Sequence, residues 1–145
     1  MRYVKTDGGR ADAGYKGTTG DCGVRALAIA SSKPYKEVYK LAFDVEGESP
    51  RNGLSRKAMR KILEMWGWKW TAKMGIGTGC TTHLKADELP RGTLILSLSG
   101  HYAAFVDGLL HDNHDCSRNG TRCVYGYWQK PEDQPRMEGL RKLLW

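Results

Sequence analysis

No uninterrupted apolar run in this sequence approaches the ~18 residues that a membrane-spanning helix requires. The opening Met-Arg-Tyr-Val-Lys-Thr-Asp-Gly-Gly has no apolar core, so it does not read as a secretory signal. Internal repeats, low-complexity tracts and an obvious domain boundary are also lacking, which argues against an array or a chain of modules. Paired Cys-x-x-Cys knuckles are absent, and no Gly-Lys-Ser/Thr follows the glycine-rich run at 75–79, so neither a zinc ribbon nor a phosphate loop is expected. These absences predict a single domain over residues 1–145 in the cytoplasm. There the four cysteines are read as reduced thiols, ligands or nucleophiles.

What is present is ordinary globular composition: 40% hydrophobic and 27% charged residues leave enough apolar side chain for one core and exclude a disordered class. The net charge of +7 favours acidic partners, nucleic acid among them, without selecting one.

Helix signals fill residues 21–66 and strand signals residues 68–128. A first helix runs from about Asp21, a favourable cap, to Ser31. A second opens at Pro34, and a third runs from Ser55 to Trp66, where Gly67 stops it. Trp68–Met74 and Thr93–Leu98 read as strands. His101–Val106 and Leu109–Asp112 read as a hairpin turning on Asp107-Gly108, the favoured two-residue turn. Asn119-Gly120 predicts a second hairpin with Cys123–Trp128 as its return strand. That turn would place Cys116 opposite Cys123, close enough to bridge if oxidised. Residues 1–14 can be a flexible lead-in, and residues 133–145 read as a short basic amphipathic helix. Helices first and an antiparallel sheet afterwards make an α+β fold.

Cys22 occupies the first turn of an otherwise apolar helix. The helix dipole there favours a thiolate, and free backbone N–H groups can donate to an oxyanion. Gly20 and Gly23 remove side chains from the space that a substrate backbone would need. His101 opens a strand beside the small Ala103 and Ala104, and a Cys–His pair is a standard way of activating a thiol. Each residue alone is more often structural, a small buried hydrophobe or a satisfied strand histidine; the pair, in this order and on these elements, is more specific.

Asp21-Cys22-Gly23-x-x-Ala26, followed by Gly100-His101-Tyr102 at the start of a strand, resembles the papain-like cysteine peptidases. The likeness is to their compact branch of bacteriocin-leader peptidases and small phage-encoded proteins. It spans roughly residues 15–128 and is sharp at three short motifs, these two and Lys33-Pro34-Tyr35-Lys36-Glu37-Val38-Tyr39 between them. It implies a papain-like fold, helices packed on an antiparallel sheet, and thiol attack on a peptide or isopeptide bond without metal or cofactor. A peptide or protein is then the substrate and, for a phage protein, the host cytoplasm the location. Deamidation, acyl transfer and cell-wall peptide cleavage use the same parts.

The family's third residue is an Asp or Asn on the strand after the histidine. If Asp107-Gly108 closes a two-residue turn, Ala103 pairs with Asp112 and His101 faces His114, which puts Asp112 on the His101 face and within reach of its ring. A bulge would substitute Asn113 or Asp115. The family's oxyanion glutamine, six residues before the cysteine, is Lys16 here. The resemblance then leaves Thr19 or Thr18 to complete the hole with the Cys22 N–H.

Two rival readings share these residues. The domain can be a catalytically silent papain-like module that binds an acidic protein or nucleic acid, with Arg56, Lys57, Arg60 and Lys61 along one side of the third helix. A solvated face is the preferred reading of that stripe, since no nucleic-acid motif accompanies it. Cys80-x-x-His83, His114-x-Cys116 and Cys123 offer metal-type side chains, but their spacing is no standard zinc pattern, and no metal is expected.

Overall fold

The computed structural model describes residues 2–17 and 20–133. The expected basic helix at 133–145 therefore lies almost wholly outside the described residues. Among these residues three α-helices pack on one face of a six-stranded mixed sheet, an α+β arrangement.

Helix α1 (Cys22–Ser31) is buried on nearly every side, from Gly23 through Ala28 and at Ala30. A helix apolar all round belongs in a core, and α1 lies across the sheet as its central helix. Helix α2 (Tyr35–Glu46) follows Pro34 and ends at Gly47, whose N–H reaches the Phe43 carbonyl. Helix α3 (Arg56–Met65) is capped by Ser55, whose Oγ accepts from the Ala58 N–H at 3.1 Å. Its buried side is Ala58, Met59, Ile62 and Leu63, and Lys57 and Lys61 face solvent.

The strands are β1 (Tyr3–Lys5), β2 (Lys69–Ala72), β3 (Thr93–Leu98), β4 (His101–Val106), β5 (Leu109–Asp112) and β6 (Gly126–Gln129), in sheet order β1-β5-β4-β3-β6-β2. Alternation along them makes two cores. Ile95, Ala104 and Trp128 meet the helices, whereas Leu94, Leu96, Ala103, Phe105 and Leu110 pack under loop residues Leu84, Leu89, Cys116 and Val124. Because loops cover the second face, β3 is buried from Leu94 to Leu98 with no exposed position.

The β4–β5 hairpin forms as the sequence predicts. Asp107 (φ 48°) and Gly108 (φ 81°) both take positive φ, as a type I′ turn demands, and Val106 pairs with Leu109.

Four expectations change. The sheet is mixed, not antiparallel, because β1, inside the expected flexible lead-in, pairs parallel with β5 (Lys5 with Asp112). The hairpin on Asn119-Gly120 does not form: β6 begins only at Gly126 and pairs with β3 and β2 instead. Cys116 does not face Cys123. The cysteine bonded to Cys123 is Cys80, 43 residues away, so these two are not reduced thiols. Asp21 precedes α1 but makes no side-chain cap, since its carboxylate is taken up by two arginines and a tyrosine.

Candidate functional site

The first turn of α1, the start of β4 and the end of β5 converge at one end of the sheet. Leu110 and Asp112 alternate on β5 as Ala103 and His101 do on β4, so the register places Asp112 on the His101 face. His101 Nε2 donates to Asp112 Oδ2 at 2.6 Å, which leaves Nδ1 as the ring nitrogen available to Cys22. Cys22 is half-buried and lines one cleft with His101 and Tyr102.

The electrostatics follow from these contacts. Burial pushes the Cys22 thiol up, but the hydrogen bonds from His101 and Tyr102 and the charges of His101 and Arg25 outweigh it and hold it below its ordinary value. Burial pulls His101 down, yet its bonds to Asp112, Cys116 and Cys22 raise it to about 11. Burial also raises Asp112, and the bonds to His101 and the Asn113 N–H overcome this and lower it. All three directions favour a thiolate beside an imidazolium and a carboxylate.

Asp112 is 3% exposed, and Arg25, 5% exposed, lies against it with Nη2 at 3.6 Å from Oδ1. The other side of the Arg25 guanidinium binds Asp21. Asp21 in turn accepts from Arg10 Nη1 at 3.3 Å and from the Tyr35 hydroxyl at 2.5 Å. Arg10 also holds the Lys16 and Gly17 carbonyls, at 3.0 and 3.2 Å. This buried chain of charges from Arg10 to His101 supports the site from behind. Sequence reasoning passed over Arg10 and Arg25. The available signal was an Asp and an Arg four apart at the start of an otherwise apolar helix.

The alternatives for the third residue have other tasks. The Asn113 N–H donates to Asp112 Oδ1 at 2.8 Å, and its side-chain oxygen meets His114 Nδ1. Asp115 accepts from the Ser117 N–H and hydroxyl. Thr18 and Thr19 lie outside the described residues, and the Lys16 side chain is exposed. Gly23 serves packing, not substrate access: a Cβ there would lie 3.0 Å from Leu54 Cβ and 3.2 Å from Met59 Cε. Cys116 is buried, and that burial pushes its thiol up.

A cleft of about 510 Å³ opens over Cys22 and His101, with Asn52, Arg56, Tyr102 and His114 on its walls. Arg56, Ser97 and Tyr102 also line a neighbouring hollow of about 420 Å³ floored by Trp70, Tyr125 and Trp128. In that hollow Arg60 stacks on Trp128 (5.3 Å) and Trp70 (6.0 Å), and Arg56 on Tyr125 (5.9 Å). Part of the basic stripe of α3 therefore covers aromatic rings instead of pointing free into solvent. A larger cavity, about 920 Å³, lies behind Asp21 and Arg25 and has neither Cys22 nor His101 in its lining. Chemistry, not size, selects the smaller one. No helix among the described residues is long and apolar enough to cross a membrane. Comparison with protein-family models, curated proteins and solved structures finds no match to this chain.

Proposed function

We propose that the chain is a papain-like thiol hydrolase, a cysteine peptidase acting through Cys22, His101 and Asp112. One observation carries this reading: a half-buried thiol at a helix start shares a cleft with a histidine whose Nε2 donates to a buried carboxylate, and that histidine acts to hold the thiol low. A structural cysteine needs no such partner, whereas a nucleophile does.

In the proposed cycle the Cys22 thiolate attacks the substrate carbonyl carbon and forms an Sγ–C bond. The carbonyl oxygen becomes an oxyanion at the N-terminus of α1, beside the Cys22 N–H. As the intermediate collapses, the C–N bond breaks and the imidazolium of His101 gives its proton to the departing amine. Water then attacks the thioester while His101 takes a proton from it. The Sγ–C bond breaks, the acid is released, and the thiolate–imidazolium pair is restored. Asp112 keeps the ring oriented throughout. Among the described residues lining the cleft and the adjoining hollow are Arg56 and Arg60 and no carboxylate, which favours a peptide carrying acidic and apolar side chains.

The test is the alkylation rate of each free thiol between acid and alkaline pH, read by peptide mass spectrometry. Cys22 is expected to react fast well below the ordinary thiol range of ~8.5, and to lose that advantage in His101→Ala. Cys116 is expected to stay slow. A Cys22 that titrates like an ordinary thiol would overturn the assignment and favour a silent binding module.

A further inference from the structure

We propose that Cys80, Cys123 and His83 form a second site, a zinc(II)-class metal site that exists when the Cys80–Cys123 bridge is reduced. It does not rest on the hydrolase reading. Cys80 Sγ, Cys123 Sγ and a ring nitrogen of His83 all lie within 4.8 Å of one another, and His83 Nε2 is 3.5 Å from Cys80 Sγ.

The far side of the ring defines the chemistry. His83 Nδ1 donates to Glu88 Oε1 at 3.1 Å, and the same oxygen accepts the His83 backbone N–H at 3.1 Å. That places the ring proton on Nδ1 and turns the Nε2 lone pair toward the sulfurs. Disulfide sulfurs carry no hydrogen to meet it, so in the bridged form this lone pair has no donor on the sulfur side. Once the bridge opens, two thiolates and one imidazole nitrogen point at one place, and a carboxylate on the second histidine nitrogen is the usual support of a metal-bound histidine. Two sulfurs and a nitrogen suit zinc, with a fourth position open to water because Cys80 is exposed.

Backbone contacts hold this geometry in addition to the bridge. His83 and Cys123 face each other across an isolated antiparallel pair, flanked by the bonds Leu84 N–H to Arg122 O and Val124 N–H to Thr82 O, each 2.9 Å. The Thr81 hydroxyl also donates to the Lys73 carbonyl at 2.7 Å. The electron count is complete. A phosphine or thiol reductant supplies two electrons, and with two protons from water the S–S bond becomes two thiols. Metal binding then forms two S–metal bonds and one N–metal bond and releases the two thiol protons.

The experiment is an anaerobic cobalt(II) titration of the full chain, reduced by a phosphine, followed by zinc displacement. The reduced protein should bind one equivalent and develop sulfur-to-cobalt charge transfer with tetrahedral ligand-field bands. The bridged protein should show neither. Cys123→Ser and His83→Ala should each abolish the tetrahedral spectrum. Glu88→Gln should weaken zinc on the order of 10–100-fold, and Cys22→Ser should leave the signal intact. Circular dichroism identifies a Cys123→Ser chain that fails to fold, and the part-exposed His83 supplies the independent variant. No thiolate–cobalt absorption in the reduced parent would overturn the proposal. So would a signal that persists in folded His83→Ala or vanishes in Cys22→Ser.

Discussion

The pair of His101 and Asp112 sets the character of Cys22. With its ring raised to about 11 from an ordinary 6.5, His101 favours the protonated form at neutral pH, the state that the proposed thiolate pair requires. A raised histidine stabilises the folded state fully below pH 6.5 and loses that contribution as pH climbs to about 11. Urea unfolding midpoints should therefore fall across that window in the parent, and this component should be missing in His101→Gln. Asp112→Asn removes the charge while keeping the shape. In the proposed hydrolase it should cut kcat by up to about 10⁴ and move the onset of Cys22 alkylation to higher pH. An unchanged alkylation profile in that variant would show that Asp112 does not act on the ring.

Among the elements, β6 carries the least obvious constraint. Gly126 sits where the Trp70 ring crosses the strand: a Cβ would lie 2.4 Å from Trp70 Cη2 and 2.7 Å from the Thr71 carbonyl. Backbone and a ring locked against Trp128 cannot move aside cheaply. Gly126→Val should cost about 1–3 kcal/mol in a urea titration and disturb the aromatic hollow beside the cleft. At the opposite edge, β1 steadies the strand bearing Asp112, since the Thr6 N–H bonds the Asp112 carbonyl at 2.9 Å.

At the scale of the molecule, the Cys80–Cys123 bond joins the loop after β2 to the segment before β6, across 43 residues. That segment includes Arg122, whose guanidinium binds the Ser99 and Cys116 carbonyls, so it borders the site from the loop side. Closing a loop of this length removes unfolded-state entropy, and reduction in metal-free buffer should lower stability by about 2–4 kcal/mol. Thermal unfolding with and without reductant reads this directly. A Tm indifferent to reductant would mean that the bridge constrains little.

The sequence by itself determined the parts governed by short-range rules: the three helices with Ser55 and Gly67 at the ends of α3, strands β3 to β5, and the Asp107-Gly108 turn. The His101–Asp112 juxtaposition came with them, because a two-residue turn leaves one register and a period of two leaves one face. Only the tertiary structure decided what depends on distant partners. Nothing in Tyr3–Lys5 announces a parallel neighbour at Leu110–Asp112, and nothing near Cys123 marks Cys80 rather than Cys116 as its mate. Arg10 and Arg25 look like solvent residues by type. They are buried because Asp21, Tyr35 and Asp112 surround them, and a charge goes inside only when the assembled fold brings its partners there.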